Sequence, residues 1–464
     1  MKLHTVQEKS MKRFLIPLAL FLGALSLSGC NSSSSDDPVP GPDPTSELRV
    51  LHASPDAPKV NVLAGGVAVL EGVDYKIGSG YLTVPAGTLT AAVDGILPGD
   101  DTATVIGPVN LDLQSGTRYT VVAFGEVAAI EPLVVTVPVE TIGANETRVQ
   151  VLHAAPAAPE VDVFVVEPGI SDPTGRLPLG TFDQKEILGP VTVDAGEYRI
   201  LVTLAGDTGV VFDSGPVTLP GSADLLLAAV NNTAAGSAPI SLVAMDGAGS
   251  FEILDTNTPA NVRVVHASAD APAVDVVVND DFLNPLVPGL AFPEATAYVA
   301  PPPGEYNVKV VAAGIPPVID VDVTLEAGER YTVIAVGLAL GGTPGIEPLV
   351  LVDDPRSVAT EAKVRLVHAS TLAGEVDIYV TAPGASLDTS TPAFTAVPFK
   401  TDTGYVSLRE GTYDVSVTQT GSTIPAIGPV PLNLEAGGVY VAIARDSAGP
   451  NFPLGLITLD DLAP

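Results

Sequence analysis

Arg263-Val264-Val265-His266-Ala267-Ser268-Ala269-Asp270-Ala271-Pro272-Ala273-Val274-Asp275-Val276 decides how the chain is read. An apolar run ends on a histidine, an Ala/Asp/Pro stretch follows, and an alternating Val-Asp-Val segment resumes. Alternation predicts a strand on each side, and the Pro-containing stretch between them predicts a turn. The pattern recurs around His52, His153 and His368, with histidine spacings of 101, 113 and 102 residues, so the chain contains four copies of one unit.

Further landmarks keep the same order in each copy. Nine residues after the histidine stands Asn61, Asp162, Asp275 or Asp377, flanked by apolar residues. A glycine then opens a strand at Gly87, Gly196, Gly304 and Gly411, with Tyr198, Tyr306 and Tyr413 two residues on in three copies. Leu-x-x-Gly-x-x-Tyr follows, ending at Tyr119, Tyr331 and Tyr440; copy two has Ser222 and Leu225 at the Gly and Tyr positions. This pattern resembles the tyrosine corner of Greek-key sandwiches. About seven short strands in about 95 residues, with no helical period, predict an all-β chain of four tandem Ig-like/Greek-key β-sandwiches. A unit of that size is large enough for a core of its own. The expected organisation is a leader at 1–29, a lipidated Cys30 with a Ser/Pro/Asp-rich disordered tether to 47, and repeats at 48–140, 147–247, 261–352 and 363–461. Joins this short imply touching neighbours. Four units in line would give a rod on the order of 130 Å.

The repeated Arg-Val-x-His-Ala-Ser-x-x-Ala-Pro-x-Val-Asp-Val start resembles a secreted bacterial family catalogued as domain of unknown function 4397. The resemblance implies secreted or surface β-domains, often in tandem, with no assigned activity and no catalytic residues to carry over. Copy four departs from the pattern at Thr371-Leu372-Ala373-Gly374, and copy two at its tyrosine corner.

The N-terminus supplies an address. Met11-Lys12-Arg13 precede an apolar stretch from Phe14 to Leu27, and Leu27-Ser28-Gly29-Cys30 follows. The stretch is too short to span a bilayer core of about 30 Å, and reads as a secretory signal. The residues before Cys30, the sole cysteine, resemble the bacterial lipobox. That resemblance implies acyl chains on Cys30 and a membrane attachment, with Asn31 favouring the outer membrane. Two or more acyl chains suffice for stable anchoring.

Composition narrows the function. A net charge of −33 from 21 basic and 54 acidic residues argues against nucleic acid as a partner. With a single Cys, disulfides and cysteine-based zinc sites are excluded. Absence of Trp and 5% aromatic content weaken a carbohydrate cleft. One histidine per copy does not build a zinc or copper site. The sharpest chemical candidates are His52, His153, His266 and His368. Each has Asn61, Asp162, Asp275 or Asp377 nine residues on, and three have an arginine three residues before. Across a hairpin the histidine could pair with the acid, and the arginine with the same acid, giving either an acid–base dyad or a fold determinant. Repetition in four copies favours the fold. Of the Asp pairs, Asp353-Asp354 lies at a join where a calcium clip would sit, against a reading as solvated charge. No cofactor is expected.

The function expected is a non-enzymatic, lipid-anchored cell-envelope protein presenting its modules for structural, adhesive or partner-binding roles, toward an envelope or extracellular protein or polysaccharide, with copies three and four, farthest from the anchor, as the contact modules. Alternatives are a small-ligand or carbohydrate-active site in a groove between repeats, and a calcium-rigidified adhesin.

Overall fold

In the computed structural model the described residues are 44–312, 317–339, 342–447 and 454–460. The leader, Cys30 and residues 31–43 of the tether lie outside them. Copy one contains eight strands: β1 (Thr45–His52), β2 (Val60–Ala64), β3 (Val67–Val73), β4 (Leu82–Pro85), β5 (Gly87–Leu97), β6 (Asp101–Leu113), β7 (Thr117–Phe124) and β8 (Glu131–Pro138). They form two sheets, β4-β1-β7-β8 and β3-β2-β5-β6. β1 runs parallel to β7, from Glu47↔Arg118 to His52↔Ala123, and the other neighbours are antiparallel.

The remaining copies repeat this plan with local edits. Copy two adds Ser250–Ile253 as a fifth strand of its first sheet, beyond residue 247. Copy three has a three-stranded first sheet, with isolated bridges at Val262↔Val299 and Val265↔Ala295 where the fourth strand would lie. Copy four has two four-stranded sheets. Among the described residues the strands number eight, nine, seven and eight, against about seven read from the sequence. Among the described residues the only helical segments are two three-residue 3-10 turns, Val127–Ala129 and Leu387–Thr389.

Each copy has an apolar interior between its sheets. Val50, Val60, Val62, Leu70, Val93 and Ile106 fill copy one, with Leu48, Leu113 and Tyr119 at one end. Comparable clusters fill copy two around Phe182 and Phe212, copy three around Val274 and Val310, and copy four around Val376 and Val415.

A further apolar layer lies between copies. Leu51, Val122, Phe124 and Val135 of copy one pack with Leu152, Leu226, Val230, Val243 and Met245 of copy two in one buried cluster. Val265, Ile334, Val336 and Leu351 of copy three pack likewise with Val367, Val441, Ile443 and Ile457 of copy four. The first sheets are thus covered on both faces. That is why β1 is almost wholly buried from Leu48 to His52, whereas β6 alternates between wet and dry positions. Fully burying such a side chain is worth about 1.5–3 kcal/mol relative to exposure, so a lone copy would carry a large exposed apolar face.

These joins correct the expectation of beads in a line. The copies associate as two side-by-side pairs, one–two and three–four. The pairs then touch at three places among the described residues: Ala235 N–H donates to Gly328 O at 3.3 Å, the 354–361 segment lies against copy one, where Ala359 N–H donates to Asp56 O at 2.8 Å, and Arg409 of copy four meets Asp101 of copy one.

Candidate functional site

The four histidines occupy one environment. Each is buried and bonds through Nε2 to the carbonyl six residues on: Pro58 at 3.0 Å, Pro159 at 3.1 Å, Pro272 at 3.1 Å and Gly374 at 2.7 Å. Nδ1 accepts from the N–H two residues on in His52, His153 and His368, which makes Nε2 the donor to the carbonyl. Nδ1 of His266 is buried without a partner. The rings of His52, His266 and His368 meet Tyr75, Phe292 and Phe399 edge-on, with centroids 6.2, 6.1 and 6.3 Å apart. Burial pushes these three imidazoles below their ordinary pKa, so they stay neutral.

The acid nine residues on does not pair with the histidine, a correction to the hairpin dyad. Asn61 accepts from Gly72 N–H at 3.0 Å, Asp275 from Gly289 N–H at 2.7 Å, and Asp377 from Ala396 N–H at 2.8 Å. All three donors have positive φ and stand opposite a register shift in the neighbouring strand. The side chain satisfies an N–H that the β-bulge removes from the ladder. Asp162 instead accepts from the Thr181 hydroxyl, and its second oxygen accepts from Gly206 N–H at 2.8 Å. Asp377 makes the matching contact with Gly421 N–H at 2.8 Å.

Three tyrosines reach back across the preceding turn. Tyr119 accepts from Gln114 N–H at 2.8 Å, Tyr331 from Glu326 N–H at 3.1 Å, and Tyr440 from Glu435 N–H at 3.1 Å. In copy two Leu225 joins the apolar core instead. A second set donates backwards: Tyr198 to Asp194 O at 2.8 Å, Tyr306 to Pro302 O at 2.7 Å and Tyr413 to Arg409 O at 3.0 Å.

The arginine before His52, His266 and His368 points into the join, away from the acid nine residues on; copy two has Gln150 there. Arg49 lies over the Tyr81 ring at 4.5 Å and Arg263 over Tyr298 at 4.8 Å, and each donates through Nε to a threonine, Thr120 at 2.8 Å and Thr332 at 2.7 Å. Arg365 lies over Tyr405 at 5.3 Å and pairs with Asp402. At the three–four join Asp353 accepts from Tyr298 Oη at 2.8 Å and Thr332 Oγ1 at 2.6 Å, and lies 3.4 Å from Arg365. This carboxylate is buried and fully engaged, and Asp354 pairs with Lys363 at 2.8 Å. Both readings of Asp353, calcium clip and solvated charge, give way to a polar bolt between copies. At the one–two join Asp224 pairs with Arg118 at 3.0 Å and Arg148 at 2.6 Å.

Tyr81, Tyr298 and Tyr405 were missed in the sequence. A signal for them was legible in the recurring spacing of an aromatic residue and a Tyr six residues later, as in Tyr75/Tyr81, Phe292/Tyr298 and Phe399/Tyr405.

Two apolar cavities, of about 50 and 70 Å³, lie between the sheets of copies one and two. Both are edged by a histidine, His52 or His153, and neither has a carboxylate in its lining. They are inside the repeats, not between them, and are too small for the inter-repeat ligand groove considered from sequence. Among the described residues no three of His, Cys, Asp and Glu stand together as a metal site.

Fold and side chains define a tandem β-module protein whose repeated polar residues bind its own backbone and joins. Residues 46–164 and 260–379, just over half of the chain, match the family described as Domain of unknown function (DUF4397), and the chain belongs to that family. Each match begins with copy one or three and runs through the join into the first two strands of the next copy. Among solved structures the chain is similar to the Bacillus anthracis TIE protein, at 10% identity and a TM-score of 0.15, over 83% of this chain and 65% of that one. No curated protein sequence matches.

Proposed function

We propose that the chain is a non-enzymatic, lipid-anchored cell-envelope protein that holds four β-modules away from the membrane for contact with an envelope or extracellular partner. The observation that carries this reading is where the polar landmarks are spent. The histidines, the acids nine residues on and the corner tyrosines are all engaged with backbone, and the first sheets are covered in the joins. What remains for a partner is the second sheets and their hairpin tips, where Leu177, Leu283 and Ile424 are 93%, 92% and 78% exposed. Because copy four touches copy one, distance along the chain from the anchor no longer singles out copies three and four. The lipobox resemblance ending at Cys30 supports the anchor, and the outer membrane is the membrane proposed.

Metabolic labelling with an alkyne fatty acid tests the anchor: the native chain takes up label and C30A does not. Protease shaving of intact cells then tests presentation. An unlabelled native chain overturns the anchor, and a body fully protected in intact cells overturns the extracellular partner and leaves the envelope one.

A further inference from the structure

Arg356, in the segment joining copies three and four, reaches back some three hundred residues into copy one. Its Nη1 donates to Ala57 O at 2.7 Å and lies 3.4 Å from Pro55 O, and its Nη2 pairs with Asp74 Oδ1 at 2.6 Å. Its guanidinium also lies 5.8 Å from the centre of the Tyr75 ring. Lys59 stands 3.7 Å from the other Asp74 oxygen. The two carbonyls belong to the turn that follows His52, whose Nε2 holds Pro58 O, and Asp74 follows β3. Nearby, Ala359 N–H bonds Asp56 O at 2.8 Å, and Arg409 of copy four pairs with Asp101 of copy one.

Copy two fills the same place from within. There Gln184 Nε2 donates to Pro156 O at 2.9 Å and Ala158 O at 3.2 Å, the counterparts of Pro55 and Ala57. The alignment is fixed by Lys76 and Lys185, whose N–H groups bond His52 O and His153 O. In copy one Tyr75 replaces Gln184, so the carbonyl pair has no donor of its own and a ring stands beside it. Two convergent carbonyls, a carboxylate and an aromatic face suit a planar, multi-donor cation better than an ammonium point charge.

We propose that copy one carries a guanidinium receptor made by Pro55 O, Ala57 O, the Asp74 carboxylate and the Tyr75 ring, that Arg356 keeps the two pairs of copies closed by occupying it, and that an arginine-bearing peptide takes the site when Arg356 leaves it. The acidic surface of the chain favours such a cationic partner.

The test uses the full-length chain as wild type, R356A, and R356A combined with D74N. Small-angle scattering reads closure, and NMR titration with arginine methyl ester, against lysine methyl ester, reads the receptor. Far-ultraviolet circular dichroism confirms that each variant is folded. The expected result is a larger radius of gyration for R356A, shifts at Pro55–Tyr75 with the arginine probe alone, and loss of those shifts in the double variant. The proposal is overturned if the R356A scattering curve superposes on that of wild type, or if R356A responds to arginine no more than the double variant does.

Discussion

Replacing Asp353 by Val reproduces at the second join what the first join already has. Register makes the comparison direct: Arg330 faces Asp353 as Arg118 faces Val137. Both residues are buried and follow a buried apolar residue two positions earlier, Leu351 or Val135, that packs in the join. At the first join, with Val137, the Tyr81 hydroxyl and Arg49 Nη1 are buried without partners. In D353V the Tyr298 and Thr332 hydroxyls lose acceptors at 2.8 and 2.6 Å, and Arg365 loses a carboxylate at 3.4 Å while keeping Asp402. Orphaning a buried donor such as the Thr332 hydroxyl costs about 1–3 kcal/mol, less for the half-buried Tyr298, and breaking a buried ion pair costs about 3–5 kcal/mol. Because Arg365 keeps a second acid, about 3–5 kcal/mol in total is the expected loss at this join. At 1.4 kcal/mol per decade that is about two to three and a half decades in the local opening constant. Native-state hydrogen exchange by mass spectrometry, following peptides over 330–336 and 347–353 with copies one and two as internal reference, reads the change. A loss under about 1 kcal/mol, or an equal loss in copies one and two, would refute the reading of Asp353 as a bolt for its own join.

The reciprocal V137D is expected to slow exchange at the one–two join, measured the same way, by giving Arg49 and Tyr81 a carboxylate. For the histidines the sign follows from burial: with folded pKa values below 6.5, the contribution of His52, His266 and His368 is complete above about pH 6.5 and is lost as pH falls and the unfolded chain takes up protons that the folded chain refuses. H266Q is therefore expected to be less stable than wild type at pH 7.5, yet to lose less on going to pH 5, in denaturant melts at both pH values; equal slopes count against it. D377A removes the acceptor of two N–H groups in copy four and is expected to cost about 2 kcal/mol, seen as faster exchange at Ala396 and Gly421. Residues 44–140 expressed alone expose the face of Leu51, Val122 and Phe124, and are expected to sediment as a dimer or larger species, with L51D restoring the monomer.

The sandwich architecture was legible because its determinants are local. Alternation around Val60/Val62 and Val274/Val276, the corner tyrosines and the glycines before strands each report on a few adjacent residues. The pairing of copies was not legible, because a strand buried on both faces shows only a continuous apolar run. Leu48 to His52 reads the same whether its second face meets a helix, a sheet or another copy. The acids nine residues after the histidines illustrate a different gap. Their spacing was visible, but their partners are backbone N–H groups in bulged strands, which carry no residue-type signature. Asp353 was noticed for its position and misread in its chemistry, since its partners Tyr298, Thr332 and Arg365 come from three separate strands or loops of two copies.

The placement of β1 bears on mechanics. The strand that leaves the tether sits between β4 and β7 and runs alongside β7 for six consecutive residue pairs. Under the proposed anchoring, tension arriving from the N-terminus would pull along this ribbon and load the evenly spaced, slanted hydrogen bonds of its parallel ladder in shear. They would have to rupture together instead of peeling one by one. If the proposed anchor holds, the first module would act as a shear clamp against load arriving from its N-terminal side.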